Sequence, residues 1–564
     1  MALGAQNTRP NIILVMTDDQ GYGDLGSHGN SVIRVPHLDR FANESFEMTR
    51  FYVDPLCSPT RASLMTGRYH LRTGVLHTSR GGAKMSGEEV TLAELLSEAG
   101  YATGIFGKWH LGDNFPMRPQ DQGFKETLIH RSGGISQVPD SEGNYFEPIL
   151  WQNGERLQAK KYCTDVFFDA AINFIGENQD RPFFIYLPTN VPHGPFQVDD
   201  KYSQAFIDQG LGEKTAMIYG MLKNFDENFS RLLETLDLLE LEDNTIVIFM
   251  TDNGPVEGRY NAGLRGSKGQ VYEGGIRVPF FVRWPHQIPG TKKTDRIGAH
   301  IDVLPTLLAA AGRSLPADLI LDGRNLLPLW TGQVEADEWP DRTLYVQFNK
   351  GMVKQPYQNV AVWNQRYKMV LNPGSAFDAP FILSPDDYQV ELYDMDSDPQ
   401  EANNIEASNM DIVKELRSQY EGWFGEMQNT RNFQPGFIHL DAEAENPVLL
   451  CRYQDANHLY HNSEPGGWPL RSSRSGTYRI SIINSSKKQT YFSLDDLWEN
   501  WSAADLVMEW DNNISREALI PGGNSAEFRI LEDEGILDAY IEVGPHDQRK
   551  QIRKGEVLIE YIAH

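Results

Sequence analysis

Three kinds of residue in this chain could do chemistry. The first is Cys57, in the stretch Pro55-Leu-Cys-Ser-Pro-Thr-Arg-Ala-Ser-Leu-Met-Thr-Gly67. An isolated cysteine is ordinarily a small buried hydrophobe. As a thiolate it would be a nucleophile needing a base from elsewhere in the chain. The second kind is paired carboxylates. Arg9-Pro-Asn-Ile-Ile-Leu-Val-Met-Thr-Asp18-Asp19 reads as a short buried strand ending in two acids. Asn244-Thr-Ile-Val-Ile-Phe-Met-Thr251 reads as another, followed by Asp252-Asn253-Gly254. Either alone is a strand-ending turn, since Asp, Asn and Gly favour turns. Adjacent carboxylates repel unless a cation lies between them, and open α/β sheets place ligands at that end of their strands. Two such all-oxygen sites point to one hard divalent cation. The third kind is cationic: Lys108 and His110 in Gly100-Tyr-Ala-Thr-Gly-Ile-Phe-Gly-Lys-Trp-His, His193 in Asn190-Val-Pro-His-Gly-Pro, and Lys268 in Leu264-Arg-Gly-Ser-Lys-Gly. A lone Lys or His on a loop is ordinarily solvated surface.

Taken together, these segments resemble the type I sulfatases. In that family a Cys followed by x-Pro-x-Arg is oxidised to formylglycine; here Cys57, Pro59 and Arg61 have that spacing. The stretch at 100–110 resembles the second signature, and Tyr272-Glu-Gly-Gly-Ile-Arg-Val-Pro279 follows Lys268 as in the family's lysine segment. The resemblance implies a sulfuric ester hydrolase whose nucleophile is an aldehyde hydrate. One hydroxyl of the gem-diol attacks sulfur and expels the alcohol; the other loses its proton and ejects sulfate. A serine could attack but would lack the second hydroxyl. The resemblance further implies a calcium ion on Asp18, Asp19, Asp252 and Asn253, with residue 57 as a further ligand. It assigns Arg61 and Lys108 to positioning residue 57 and neutralising charge, and His110 to hydrogen-bonding the gem-diol as base for its breakdown. Lys108, His193 and Lys268 would bind the sulfate. Either His193 or Lys268 would protonate the leaving oxygen; histidine is the more natural acid near neutral pH. Cationic groups aimed at developing charge are what such a transition state requires. A formylglycine-generating enzyme is then an obligatory partner in maturation.

The elements that must position these residues are legible. Strands alternate with helices to about residue 335. Leu92–Ala99 reads as a helix with Thr91 as N-cap and Gly100 as stop, and a helix near Thr164–Ile175 precedes a strand at Pro182–Leu187. A long amphipathic helix from about Lys214 to Leu239 carries Met217, Met221, Phe225, Phe229, Leu232 and Leu236 at helical spacing. This alternation predicts an α/β architecture with a mostly parallel sheet flanked by helices, which fits the alkaline-phosphatase-like fold that the resemblance implies. Short strands at Thr343–Phe348, Asn359–Trp363, Tyr367–Leu371 and Glu391–Asp394 and a helix over Met410–Met427 predict a small antiparallel-sheet subdomain. Its segment Leu392-Tyr-Asp-Met-Asp-Ser-Asp-Pro-Gln-Glu-Ala-Asn-Asn resembles the family's closing motif. Beyond the resemblance, which covers about 9–430, alternating pieces at Gly476–Ile483, Gln489–Leu494, Ala526–Leu531, Ala539–Val543 and Glu556–Ile562 predict a C-terminal β-sandwich of jelly-roll type. Its Trp468, Trp498, Trp501 and Trp510 are read as packing rather than as sugar platforms. The expected domains are 1–340, 341–435 and 436–564.

Length and composition agree. The chain has 564 residues, 40% hydrophobic and 23% charged, too long for one core. A net charge of −27 argues against nucleic acid as a partner. It also argues against anionic membrane surfaces, and it requires a local basic pocket if the substrate is an anion. No segment offers the apolar run of a membrane span. Of the three cysteines, Cys57, Cys163 and Cys451, the last two are expected as free thiols. The start lacks a basic region and an apolar core. Read literally it predicts a cytoplasmic protein; a polymeric substrate favours the periplasm or secretion, which is the expectation. The expected substrate is a sulfated polysaccharide or oligosaccharide. Two alternatives stand beside it: a phosphate or phosphonate monoester hydrolase of the same fold, and a non-catalytic glycan-binding protein. Trp109, Arg118, Arg131, Arg259 and Arg265 lie near the catalytic segments and are candidates for specificity, although pairing with surface acids is the expectation for each arginine.

Overall fold

The computed structural model describes residues 9–288, 291–348, 352–374, 388–441, 443–451, 454–457, 466–472, 474–483, 504–510, 513–519, 523–530, 534–543, 550–552 and 556–563. A ten-stranded sheet organises the N-terminal part. Its strands, in chain order, are β1 (Asn11–Thr17), β2 (Phe46–Met48), β3 (Ala102–Lys108), β4 (Glu126–His130), β5 (Ile149–Gln152), β6 (Glu155–Gln158), β7 (Phe183–Pro188), β8 (Thr245–Thr251), β9 (Phe280–Arg283) and β10 (Lys293–Thr294). Their spatial order is β10-β2-β9-β8-β1-β7-β3-β4-β5-β6. Every residue of β1, β7 and β8 is buried, as continuous apolar runs predict for strands covered on both faces.

The sheet is parallel only in its middle. β8, β1, β7, β3 and β4 run parallel, in register Ile12↔Ile246 and Ile12↔Phe184 across β1. β9 pairs antiparallel with β8 and β2, and β5 and β6 form an antiparallel edge beside β4. The expected mostly parallel sheet is thus mixed at its flanks. The edge hairpin turns at Asn153-Gly154, both at positive φ (50° and 89°), the backbone that a two-residue turn demands. The consequence for chemistry is geometric. Parallel strands end on one side, so Asp18 after β1, Asn190–His193 after β7, Lys108 at the end of β3 and Asp252 after β8 all emerge at one edge.

Helices cover both faces. Helix α1 (Cys57–Thr66) begins at Cys57 and is buried along its whole length. Helix α2 (Leu92–Glu98) starts with the anticipated capping box, Thr91 Oγ1 accepting from Glu94 N while Glu94 Oε2 accepts from Thr91 N. Helices α3 (Cys163–Glu177) and α4 (Glu213–Leu238) pack their apolar faces on Ile13, Val15, Ile185 and Phe249.

A four-stranded antiparallel sheet follows, of Leu344–Gln347, Val360–Trp363, Tyr367–Leu371 and Val390–Asp394, with helix α5 (Met410–Arg431) against it. One buried charge cluster ties this sheet to the lysine loop. Lys368 Nζ lies 2.9 Å from Glu273 Oε1 and 2.8 Å from Glu401 Oε1, and Glu401 Oε2 accepts from Glu273 N at 2.7 Å. Glu401 belongs to the Asp-Pro-Gln-Glu stretch singled out in the sequence. Lys368→Met would leave Glu401 without its cation and Glu273 with only the more distant Arg277, 3.6 Å away, at a cost of about 3–5 kcal/mol. Burial pushes Glu401 up to about 7, so it takes up a proton readily, and the loss should be smaller below about pH 6 than above about pH 8. Urea denaturation at both pH values checks this; a loss under about 1 kcal/mol at both would refute it.

The described C-terminal residues form two sheets, one six-stranded and one four-stranded. Alternate residues of Gly476–Ile483 turn inward, and Tyr478, Ile480 and Ile482 share one apolar cluster with Leu470, Leu506 and Leu537 of the other sheet. Trp468 is fully buried there and Trp510 packs on its rim, as expected of structural tryptophans. The expected strand at Gln489–Leu494, with Trp498 and Trp501, lies outside the described residues. Cys57, Cys163 and Cys451 are buried free thiols. Among the described residues no helix is long and apolar enough to cross a membrane.

Candidate active site

Cys57 is delivered by a short strand. Phe51–Tyr52 pairs with Arg277–Val278 and Gly298–Ala299, and the chain then turns through Pro55-Leu56 into α1. Asp54 fixes that turn: its carboxylate meets His300 Nε2 at 2.8 Å and Ser63 Oγ at 3.4 Å, and its carbonyl accepts from Thr60 Oγ1 at 3.1 Å. Four residues into the helix, Arg61 reaches back under the sheet edge. Its Nη2 donates to Asp252 Oδ2 at 2.7 Å and its Nη1 to the Lys108 carbonyl at 2.8 Å. Lys108 Nζ donates to Asp18 Oδ2 at 2.7 Å. All four side chains are fully buried.

Asp19, at φ 67°, turns its carboxylate the other way. Lys268 Nζ stands 2.5 Å from Asp19 Oδ1, Asn253 Nδ2 donates to the same oxygen at 2.8 Å, and His193 Nε2 lies 3.9 Å from Oδ2. The loop carrying Lys268 is held by backbone bonds from Lys268 N to Pro255 O (3.0 Å) and from Gly269 N to Pro55 O (2.8 Å). The cationic groups and the acids predicted from sequence therefore converge from six separate segments, in a protein whose net charge is −27. Each of the three cations, Arg61, Lys108 and Lys268, is paired there with one of the three acids, Asp252, Asp18 and Asp19.

Electrostatics follow from burial and these pairings. Burial alone would raise Asp18, but Lys108, His193 and Arg61 outweigh it and hold the carboxyl well below the ordinary range. Burial, then the neighbouring Asp18, pushes Asp252 up to about 7 despite Arg61. Burial lowers His110 strongly, with Lys108 adding to it; burial also lowers His193, against the pull of Asp18 and Asp19. His193 Nδ1 lies 2.7 Å from the Gly194 carbonyl and His110 Nε2 2.7 Å from the Thr78 carbonyl. A carbonyl only accepts, so these nitrogens carry protons, and His110 Nδ1 is left buried without a hydrogen-bond partner among the described residues. Burial pushes the Cys57 thiol up, more than Lys108 and Lys268 pull it down. That weighs against a thiolate nucleophile.

The site fits a hard cation. Ligand atoms of Asp18, Cys57 and Asp252 lie within 4.8 Å of one another. Asp18 Oδ1 and Asn253 Oδ1 are buried without a hydrogen-bond partner among the described residues. Buried acceptors left unsatisfied are costly, and a cation bound by oxygen ligands would satisfy both. Asp19 stands apart from that trio, paired with Lys268 and Asn253.

A cavity of about 350 Å³ opens over these groups. Cys57, Asp19, His110, His193 and Lys268 form its floor, and Thr78, Gln137, Phe196, Val256 and Gln454 are among the residues of its walls. None of the five specificity candidates from sequence lines it. Trp109 is core, its Nε1 donating to the Met117 carbonyl at 2.8 Å. Arg259 grips Asp24 (Nε–Oδ1 2.9 Å, Nη2–Oδ2 2.6 Å), and Arg118 grips Asp121. Arg265 bonds Tyr393 and the Glu401 carbonyl, and Arg131 stacks 3.6 Å above the Trp151 ring. The wall residues carried no sequence signal, because neutral side chains on loops look like any surface.

Residues 10–313 match the family described as Sulfatase, and residues 267–423 match N-sulphoglucosamine sulphohydrolase, C-terminal. The chain is 31% identical over 411 residues to N-acetylgalactosamine-6-sulfatase of Canis lupus familiaris, covering 62% of this chain and 76% of the relative. It is 28% identical over 495 residues to N-acetylgalactosamine-6-O-sulfatase of Bacteroides thetaiotaomicron, covering 73% and 93%. Among solved structures it is similar to Ps i-CgsB in complex with k-i-k-neocarrahexaose. That likeness has a TM-score of 0.65 and 29% identity, covering 76% of this chain and 94% of the other.

Proposed function

The chain belongs to the sulfatase family and is a sulfuric ester hydrolase, and from that premise we propose that it removes sulfate from a carbohydrate, with residue 57 acting as formylglycine and calcium held by Asp18, Asp19, Asp252 and Asn253. The observation that carries this is the convergence of Cys57, His110, His193 and Lys268 on one cavity, with Arg61 and Lys108 buried behind it against Asp252 and Asp18. The carbohydrate assignment draws on relatives named as N-acetylgalactosamine-6-sulfatases and on the similar structure bound to a neocarrahexaose.

As the aldehyde hydrate, residue 57 would supply one hydroxyl to attack sulfur and a second to release sulfate; bound calcium would supply positive charge beside the sulfate. The remaining work falls to side chains. Arg61, fixed between Asp252 and the Lys108 carbonyl, holds the start of α1 and its cysteine against the acids. Lys108 and Lys268 place positive charge where the sulfate oxygens gain negative charge, and in a buried site this needs no solvent reorganisation. His110, with its proton on Nε2, presents Nδ1 to accept a proton from a hydroxyl on residue 57. His193 and Lys268, both beside Asp19, hold the sulfate, and one of them delivers the proton to the leaving alcohol.

Substrate preference tests this reading. Binding energy from sugar parts remote from the ester orients the sulfate, so a small aryl sulfate loses turnover as well as affinity. With calcium saturating, kcat/KM for the preferred sulfated oligosaccharide should exceed that for 4-nitrophenyl sulfate by roughly 100-fold or more, and 4-nitrophenyl phosphate should be slower still. Preference for the aryl sulfate, with no release from chondroitin-type or carrageenan oligosaccharides, would overturn the carbohydrate assignment. Preference for the phosphate would overturn the sulfate ester itself.

A further inference from the structure

One wall of the active-site cavity comes from outside both family matches, which end at residue 423. Gln454 follows the strand Val448–Cys451 of the C-terminal four-stranded sheet. Its segment is pinned to that unit by Asp455, whose Oδ2 accepts from Cys451 N at 2.7 Å, and by Trp468 Nε1 donating to the Cys451 carbonyl at 3.4 Å. From there it reaches two loops that flank the catalytic histidines. Gly81 N donates to the Gln454 carbonyl at 2.7 Å, and Lys84 Nζ donates to the Asp455 carbonyl. This fixes the loop whose Thr78 carbonyl holds His110. Gln454 Nε2 meets Gln137 Oε1 at 3.4 Å, and that oxygen also accepts from Gly133 N at 3.1 Å. Gly133 and Gly134 lie flat against the histidines: an added Cβ would sit 2.6 Å from His110 Cε1 and 3.0 Å from His193 Cε1.

The two amides are only loosely committed to each other. A separation of 3.4 Å is long for an N–H···O bond. Gln454 Oε1 and Gln137 Nε2 have no hydrogen-bond partner among the described residues, and both side chains line the cavity. A glutamine amide carries two donors and an acceptor with two lone pairs, so the pair offers free acceptor and donor capacity side by side. Adjacent ring hydroxyls, each able to donate and accept, match that pattern. A second sulfate or a carboxylate would instead call for arginine, and among the described residues no arginine lines this cavity.

We propose that Gln454 and Gln137 form an amide-lined subsite that hydrogen-bonds the free hydroxyls of the sugar ring carrying the scissile sulfate, so that the C-terminal β unit supplies a specificity-determining residue of the active site. This rests on the carbohydrate sulfatase reading above and adds to it the side chains that meet the ring's hydroxyls. Both glutamines act on the ring, not on sulfur.

The test uses the matured full-length enzyme with Gln454→Ala, Gln454→Asn and Gln137→Ala. Each is assayed on N-acetylgalactosamine-6-sulfate oligosaccharides, on carrageenan oligosaccharides and on 4-nitrophenyl sulfate, which has no ring hydroxyls. For the preferred oligosaccharide, kcat/KM should fall about 10- to 100-fold in the alanine variants, because a site built to bond a hydroxyl is left unpaired. Most of the loss should appear in KM. The ratio of oligosaccharide to aryl-sulfate kcat/KM should fall at least about tenfold. Should Gln454→Ala fail to fold by thermal melt, Gln454→Asn and Gln137→Ala carry the same comparison. Equal losses on both substrates would mean that the glutamines only brace the histidine loops, and no loss on either would mean that they are inert; both outcomes overturn the subsite and leave the carbohydrate reading standing. A wild-type enzyme that releases no sulfate from any oligosaccharide brings down that reading and the subsite with it.

Discussion

Cys57→Ala should fold and mature no nucleophile, and its turnover of any sulfate ester should fall by roughly four orders of magnitude or more. The size of the effect follows from what remains. Arg61, Lys108, His193 and Lys268 can still gather and polarise a sulfate, but none can attack sulfur and then release the product. The cost in stability should be small, about 1–2 kcal/mol, because one sulfur atom leaves a site whose other contacts persist. Cys57→Ser is the sharper variant. Its hydroxyl occupies the same place and can attack once, yet it has no second hydroxyl to eject sulfate, so steady turnover should be as low as in the alanine variant. Mass spectrometry of the peptide spanning Cys57 should show the loss expected for thiol-to-aldehyde conversion when the chain is produced with a formylglycine-generating enzyme, and the unmodified thiol without it. An alanine variant that kept more than about one per cent of activity would refute the assignment.

Much of this site could be read from sequence because its residues sit where strong local patterns end. Asp18 and Asp252 close unbroken apolar runs, and such runs become buried parallel strands whose C-terminal ends must share one edge. Lys108, His193 and Lys268 lie in segments whose order and context resemble a family. The sheet's flanks were less legible. Phe280–Arg283 is as apolar as the parallel strands, and nothing in its composition reveals that it runs antiparallel to Thr245–Thr251. The edge hairpin did carry a signal, Asn153-Gly154, which demands positive φ at both positions. Gln137 and Gln454 had none: a glutamine on a loop looks the same whether it faces water or substrate. Their meeting depends on a contact 317 positions apart in the chain. The arginines attracted attention because of their charge, and two of the four, Arg118 and Arg259, hydrogen-bonded to nearby carboxylates instead.

The second large effect concerns the acids. Asp18 and Asp252 already have one cation each, Lys108 and Arg61, both at 2.7 Å. Were those pairings sufficient, the site would need no metal. Two features argue otherwise. Asp18 Oδ1 and Asn253 Oδ1 remain buried and unpartnered, and Asp252 stays raised to about 7 although Arg61 touches it. The protein atoms alone thus leave the cluster under-neutralised and short of partners for oxygen. An oxygen-only set without a histidine favours calcium over zinc, which takes nitrogen and sulfur ligands readily. Chelation should therefore abolish sulfate release, and calcium should restore it better than zinc. Binding should also be visible without turnover, because a ligand held only by the folded state stabilises it, by about 2.7 kcal/mol at a hundred times its Kd. The melting temperature should rise with calcium in wild type and rise much less in Asp18→Asn and Asp252→Asn. Both variants should lose roughly a thousandfold or more in kcat, and Asp252→Asn also leaves Arg61 buried without a full counter-charge. Elemental analysis of the purified enzyme should find calcium near one equivalent. Zinc at that stoichiometry, or melting curves indifferent to calcium, would sink the assignment while leaving Cys57 as the nucleophile's precursor.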